Sequence, residues 1–387
     1  MSIRRVILNE TSYFGAGSRS VLPQELASRG FNKALVVTDK DLIRHGVTAK
    51  VLKVLDDAEF PYAIFDGIKQ NPTIANVTDG LTAFKASEAD VLIAVGGGSV
   101  IDTAKAIGII ATNPEFADVR SLEGVAPTKH PSAPLIALPT TTGTAAEVTI
   151  NYVITDEQAR KKMVCVDPHD IPILAIVDSE LMSSMPAGLV AATGMDALTH
   201  AIEGYITRAA WALTDMFALS AIESIARYLP RAVASRDDAE AMEGMGLAQY
   251  VAGMGFSNVG LGIVHSMAHP LGAFYDIPHG IANAVLLPYV MAFNAPAAGE
   301  KYRAIAKAMG VEGVAAMSLE EANQAAVNAV RALSQQVGIP ATLDKLGVKE
   351  EDLEALAVAA YNDVCTPGNP RDVTIEDLLE LYRQAFA

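Results

Sequence analysis

Through the first half of the chain, short apolar runs alternate with amphipathic stretches. KALVVTD (33–39), YAIFDG (62–67), DVLIAVGGG (90–98), PLIALPTT (134–141) and ILAIVD (173–178) are rich in apolar and β-branched residues and run into Gly, Asp or Thr. Runs of this length, bounded by turn residues and separated by helical segments, predict βαβ units around a parallel sheet whose strands are covered on both faces. After Pro186 the pattern changes: Ala, Met, Leu and Glu dominate, and apolar positions recur every three or four residues. That periodicity predicts helices over 187–206, 212–228, 238–257, 260–274, 298–309, 318–337, 349–362 and 374–386. The expected architecture is an α/β domain over 1–185 and an all-α domain over 186–387, with ligands bound in a cleft between them. A chain of 387 residues exceeds the size at which one core stops growing, which favours two domains. No internal repeat or low-complexity linker interrupts it.

Charge narrows the partners. The 45 acidic residues against 29 basic ones leave a net charge of −16, which nucleic acid and anionic membrane surfaces would repel. MSIRRVILNETSYFG carries no continuous apolar stretch after its arginines, and no uninterrupted apolar run has the length of a spanning helix, so a soluble cytoplasmic protein is expected. Cys165 and Cys365 lack metal-site spacing and suit buried thiols in a reducing compartment.

Two junctions in the first half carry binding chemistry. Gly96, Gly97, Gly98 and Ser99 stand between a buried strand and an amphipathic helix, where free N–H groups and a helix N-terminus can cradle a diphosphate. A tight strand-to-helix turn would use the same glycines for steric reasons. Asp39 ends the KALVVTD strand and can accept from a ribose 2′-OH while repelling the extra phosphate of NADP; its alternative is a helix N-cap. It precedes the glycines, the reverse of the usual dinucleotide fingerprint, so a variant α/β arrangement is expected. Thr140, Thr141, Thr142 and Thr144 around Gly143 form a second polar junction, able to hold a nicotinamide ribose or to cap a helix.

Of seven histidines, four fall in two windows: His200 in TGMDALTHAIEGY, and His265, His269 and His279 in GLGIVHSMAHPLGAFYDIPHG. Asp196 and His200 are four apart on a helical pattern, as are His265 and His269, so each pair shares a helix face. Three imidazoles and a carboxylate suit a divalent transition metal such as iron or zinc. Spacing leaves open which three histidines bind. His45, His130 and His169 stand alone near turn-like residues.

These windows, with AIVDSELMSSMPAGLVAATGMDALTHAIEGY ahead of them, resemble the iron-containing (group III) alcohol dehydrogenase family, and the likeness runs from ILNETSYFG to GNPRDVTIEDLLELY. NPEFADVRSLEG and VCVDPHDIP narrow it to members acting on small aldehydes and diols. The resemblance implies a dehydroquinate-synthase-like fold, a homodimer, and hydride transfer between NAD and a small aldehyde or its primary alcohol. It places an Fe2+ ion, with Zn2+ as the alternative, on Asp196, His200, His265 and His279, and leaves His269 as a non-ligand near the ion and the nicotinamide; the i,i+4 relation of His269 to His265 suggests that it carries the proton to solvent. NAD contacts carry over to Asp39, Asn71, Gly97, Gly98, Ser99, Asp102, Thr140, Thr141, Thr144, Val153 and Lys162; Asn151 and Phe256 border the substrate. Where the wider family has GTGSE this chain has Gly143, Thr144, Ala145, Ala146 and Glu147, a variant that the narrower branch shares. The same fold family includes synthases acting on phosphorylated substrates, but no Lys/Arg cluster flanks the histidine windows.

Overall fold

Each of the five segments read as strands forms one, and for four of them the reason is visible in their burial. The computed structural model describes residues 3–386. Its strands are β1 (Thr11–Phe14), β2 (Ala34–Val37), β3 (Tyr62–Phe65), β4 (Val91–Gly96), β5 (Leu135–Pro139), β6 (Asn151–Asp156), β7 (Lys161–Val166) and β8 (Leu174–Val177). Residues of β2, β4, β5 and β8 are buried without exception. Leu35, Val37, Leu92, Ala94, Leu135 and Ala137 pack with Val77, Val100 and Ile101 on one side of the sheet. Their neighbours Ala34, Val36, Ile93, Val95, Ile136 and Leu138 pack with Leu22, Leu26, Val51 and Leu55 on the other. Alternate side chains of a strand leave opposite faces, so a strand covered on both sides must be apolar throughout.

The chain divides into two compact units, Met1–Met185 and Pro186–Ala387. In the first, six strands pair in parallel in the order β1-β8-β5-β4-β2-β3. The chain passes outward from β2 to β3, then returns to place β4 on the other side of β2. That reversal makes the C-terminal ends of β2 and β4 a topological switch point, where open parallel sheets form a crevice. Asp39 follows β2 and Gly97 follows β4, so strand order sets together residues far apart in sequence.

Two parts of this unit were not expected from the pattern. β1 is an edge strand on β8, and β6 and β7 form an antiparallel hairpin. β6 alternates half-exposed and buried positions across NYVITD, too polar a run to stand out as a buried strand.

The second unit has no strand among its described residues. Its principal helices are Ala187–Ile206, Ala212–Ala234, Ala239–Val259, Ile263–Tyr275, His279–Ala298, Lys301–Ala308, Leu319–Gln336, Leu353–Tyr361 and Ile375–Phe386. Ala187–Ile206 is buried without a break from Val190 to Ile206, against Ala212–Ala234, Ala239–Val259 and His279–Ala298. The helix expected from 260 starts at Ile263, because Gly260, at φ 80°, ends the preceding one. His279–Ala298 was absent from the expected helices: Pro288 and Pro296 lie inside it and its apolar residues surround it, which erases the one-sided periodicity. By length and composition it could cross a membrane, yet much of it is buried inside this unit.

Candidate functional site

The buried helix Ala187–Ile206 carries Asp196, His200 and Glu203 on successive turns, spacings that put all three on one face. Ile263–Tyr275 presents His265 and His269, and His279 is the first residue of the next helix. Gly280 allows that helix start to come close: a Cβ there would lie 2.3 Å from the Ala192 carbonyl oxygen. The approach gathers Asp196, His200, His265 and His279 so that one ligand atom of each lies within 4.8 Å of the others. Asp196 Oδ1 stands 3.9 Å from His265 Nε2 and 3.7 Å from His279 Nε2. His200 is stacked between Phe256, at 4.2 Å between ring centroids, and His265, at 4.6 Å. Three of the four are buried, whereas the His279 side chain keeps 28% of its surface exposed. His269 stacks on His279 at 5.4 Å but lies outside this group of donor atoms.

Around these donors stand residues that the sequence reading did not single out. Glu203 Oε2 lies 2.6 Å from His265 Nδ1, and its Oε1 accepts from the Val264 N–H at 2.7 Å. Gly262 makes room for this carboxylate, since a Cβ there would meet Oε1 at 2.9 Å. Burial pushes Glu203 up to about 7 against the backbone N–H groups of Val264, Gly262 and His265. Burial, helped by nearby His269, holds His265 well below the usual imidazole value, and a neutral imidazole is the form that binds metal. Asp363 Oδ2 lies 2.7 Å from His269 Nδ1, and Oδ1 accepts from the Cys365 N–H. Burial would raise Asp363, but the charge and hydrogen bond of His269 and the Cys365 N–H hold it down at about 2. Asn283, one turn after His279, directs its amide nitrogen at Asp196, His265 and His279. Glu203 had a readable signal, seven residues after Asp196 on the same face. Asp363, 94 positions from His269, had none.

In the first unit the glycine and threonine junctions touch each other. A Cβ on Gly97 would lie 3.0 Å from Thr141 Cγ2, and one on Gly98 2.9 Å from Thr144 Cγ2, so a side chain at either position would have to displace a threonine. Thr140 N–H donates to the Gly96 carbonyl, and Thr144 Oγ1 accepts from Ala146, ahead of a short 3-10 turn rather than an α-helix. Ser99 lies in the first turn of Gly98–Thr112. Asp39 caps the short helix Lys40–Arg44, accepting from Leu42 N–H at 2.8 Å through Oδ1. Four further predicted contacts pair with one another: Asp102 accepts from Val153 N–H at 3.0 Å, and Lys162 Nζ donates to Asn71 Oδ1 at 2.7 Å. Burial raises Asp102 to about 6 despite Lys105. Asn151 opens β6, and its carbonyl accepts from the buried Lys105 ammonium at 2.8 Å. Phe256, in the second unit, is buried against His200.

Residues 9–179 match the family model described as iron-containing alcohol dehydrogenase, and residues 190–386 match that of the Fe-containing alcohol dehydrogenase family, C-terminal. The chain belongs to the iron-containing alcohol dehydrogenase family. It is 62% identical over 382 residues to lactaldehyde reductase of Escherichia coli (strain K12), covering 99% of each chain. It is 42% identical to the NAD-dependent methanol dehydrogenase of Bacillus methanolicus, covering 97% of this chain and 98% of that one. The solved structure of a 1,3-propanediol oxidoreductase superposes with a TM-score of 0.96 at 42% identity, over the whole of both chains. As an iron-containing alcohol dehydrogenase the chain is an enzyme, with a parallel-sheet α/β unit followed by a helical one.

Proposed function

We propose that this dehydrogenase interconverts lactaldehyde and propane-1,2-diol, and related small aldehydes and primary alcohols, using NAD and one divalent metal ion. The observation that carries the reading is the convergence of Asp196, His200, His265 and His279 from three helices, with one ligand atom of each within 4.8 Å of the others. The donor set fits such an ion: three imidazoles and one carboxylate suit Fe2+, with Zn2+ as the alternative. In this reading residues 186–387 hold the metal and carry the catalysis, residues 1–185 bind the dinucleotide, and the enzyme works as a cytoplasmic homodimer.

When bound, the ion supplies a Lewis acid for the reacting oxygen and the dinucleotide a hydride donor or acceptor. The residues do the rest. Glu203 accepts a hydrogen bond from Nδ1–H of His265 and so turns its Nε2 lone pair toward the other donors. Phe256, stacked on His200, keeps one side of the donor set dry. His269, with Nδ1 fixed on Asp363, has Nε2 for holding or releasing the proton exchanged with the substrate oxygen. Asn151 and Phe256 border the substrate. In the dinucleotide unit Asp39 faces the adenosine ribose, Gly97, Gly98 and Ser99 offer N–H groups to the diphosphate, and Thr140, Thr141 and Thr144 lie beside them, with Asn71, Asp102, Val153 and Lys162 completing the contacts.

The test pairs metal analysis of anaerobically purified protein with rates on lactaldehyde, glycolaldehyde and longer aldehydes, and on propane-1,2-diol with NAD+. The expected result is one ion per chain and NADH-dependent reduction fastest with the short aldehydes. Full metal occupancy with no turnover on any of them would overturn the reading.

A further inference from the structure

Asn283 is fully buried on the helix that begins with His279. Its amide nitrogen donates to Asp196 Oδ1 at 2.7 Å and lies 3.1 Å from Nε2 of both His265 and His279. The other end of the amide, Oδ1, is buried without a hydrogen-bond partner. A primary amide has two hydrogens, so here they are shared among three acceptors. Those acceptors are three of the four donors assigned to the ion. Because Glu203 engages Nδ1 of His265, the Nε2 that faces Asn283 carries a lone pair and can accept.

Three electron-rich atoms held this close repel one another, and a buried N–H donor among them relieves that repulsion. An ion bound to the two imidazoles needs the lone pairs that the amide faces there, whereas Asp196 Oδ1 has a second lone pair and can serve both; a dication would also face the positive end of the amide dipole. We infer that Asn283 is a positioning residue for the metal site: without the ion its amide holds Asp196, His265 and His279 together, and it gives up its hydrogen bonds to the two histidines as the ion binds. The inference rests on the metal-centre reading above and adds an internal competitor to it.

The experiment compares the full-length enzyme with Asn283→Leu, which keeps the bulk and removes the donor, and with Asn283→Ser as a milder variant should the first fold poorly. Unfolding midpoints are measured with and without Zn2+, Zn2+ affinity by chelator competition, and the Co2+ visible spectrum of each loaded protein. The expected outcome is a lower midpoint for the metal-free variant only, an unchanged Co2+ spectrum, and a Zn2+ affinity about fivefold tighter, the worth of roughly one net hydrogen bond. Equal losses of stability in both forms with unchanged affinity would overturn the inference, since that is what a merely structural amide gives. So would a tenfold weaker affinity with an altered Co2+ spectrum, which would make the amide oxygen a ligand. Failure of the wild-type protein to bind either metal would instead defeat the metal-centre reading itself.

Discussion

His265 Nδ1 and Glu203 Oε2 stand 2.6 Å apart, with both side chains 2% exposed. The carboxylate fixes which imidazole nitrogen keeps its proton, and therefore which one faces Asp196. Replacing such an outer partner typically costs ten- to a hundredfold in metal affinity. Glu203→Gln is expected to weaken Zn2+ binding by about that factor while the far-ultraviolet circular dichroism stays unchanged; equilibrium dialysis reads it. Undiminished affinity would mean that the pair only packs the helices together.

His269 lies beside the donor atoms without joining them. His269→Ala should therefore retain the metal while lowering turnover roughly a hundredfold, the scale of a positioned acid or base. Asp363→Asn, which leaves the ring present but loosens its orientation, should fall between that variant and the wild type. Metal content and steady-state rates on the same preparations decide it. Wild-type rates in His269→Ala would remove His269 from the chemistry.

Asp39 spends one oxygen on capping a five-residue helix, which explains why it could be read from sequence either as a cap or as a ribose ligand. A carboxylate there repels a ribose 2′-phosphate. Asp39→Gly should raise kcat/KM for NADP+ about tenfold relative to NAD+, equivalent to about 1.4 kcal/mol. Unchanged selectivity in initial-rate measurements with the two coenzymes would leave only the capping role.

Much of this was legible in the sequence because it was local. The i,i+4 pairs of Asp196 with His200 and of His265 with His269 follow from helix geometry alone, and short apolar runs such as LIAVG, bounded by turn residues, read as buried strands. What stayed hidden depended on the third dimension. Asp363 reaches His269 across 94 positions, the His279–Ala298 helix loses its periodicity to prolines and all-round burial, and β6 alternates too gently to announce a hairpin. The order of Asp39 before the glycines is unusual as text, yet β2 and β4 are neighbours in the sheet.

Glu147, fully buried in the first unit, is pushed by burial from 4.5 up to about 7 despite Lys105. Between those values the folded chain holds a proton that the unfolded chain has released. Its contribution is therefore complete below about pH 4.5 and is lost as pH rises toward 7. Asp102, raised by burial to about 6, acts in the same direction. Urea midpoints of Glu147→Gln measured from pH 5 to 8 should show a shallower decline than the wild type, by up to about 1.4 kcal/mol per pH unit for the one proton removed. Parallel curves would mean that Glu147 stays ionised in the folded chain.

The donor atoms come from the interior of one helix, the first turn of a second and the opening residue of a third. A helix's first turn lacks internal partners for its N–H groups and is where fraying begins. A ligand shared with a neighbouring helix's well-packed middle clamps that fraying end. Loading the ion should therefore slow backbone amide exchange most sharply in the turn after His279, far more than in the already protected stretch around Asp196.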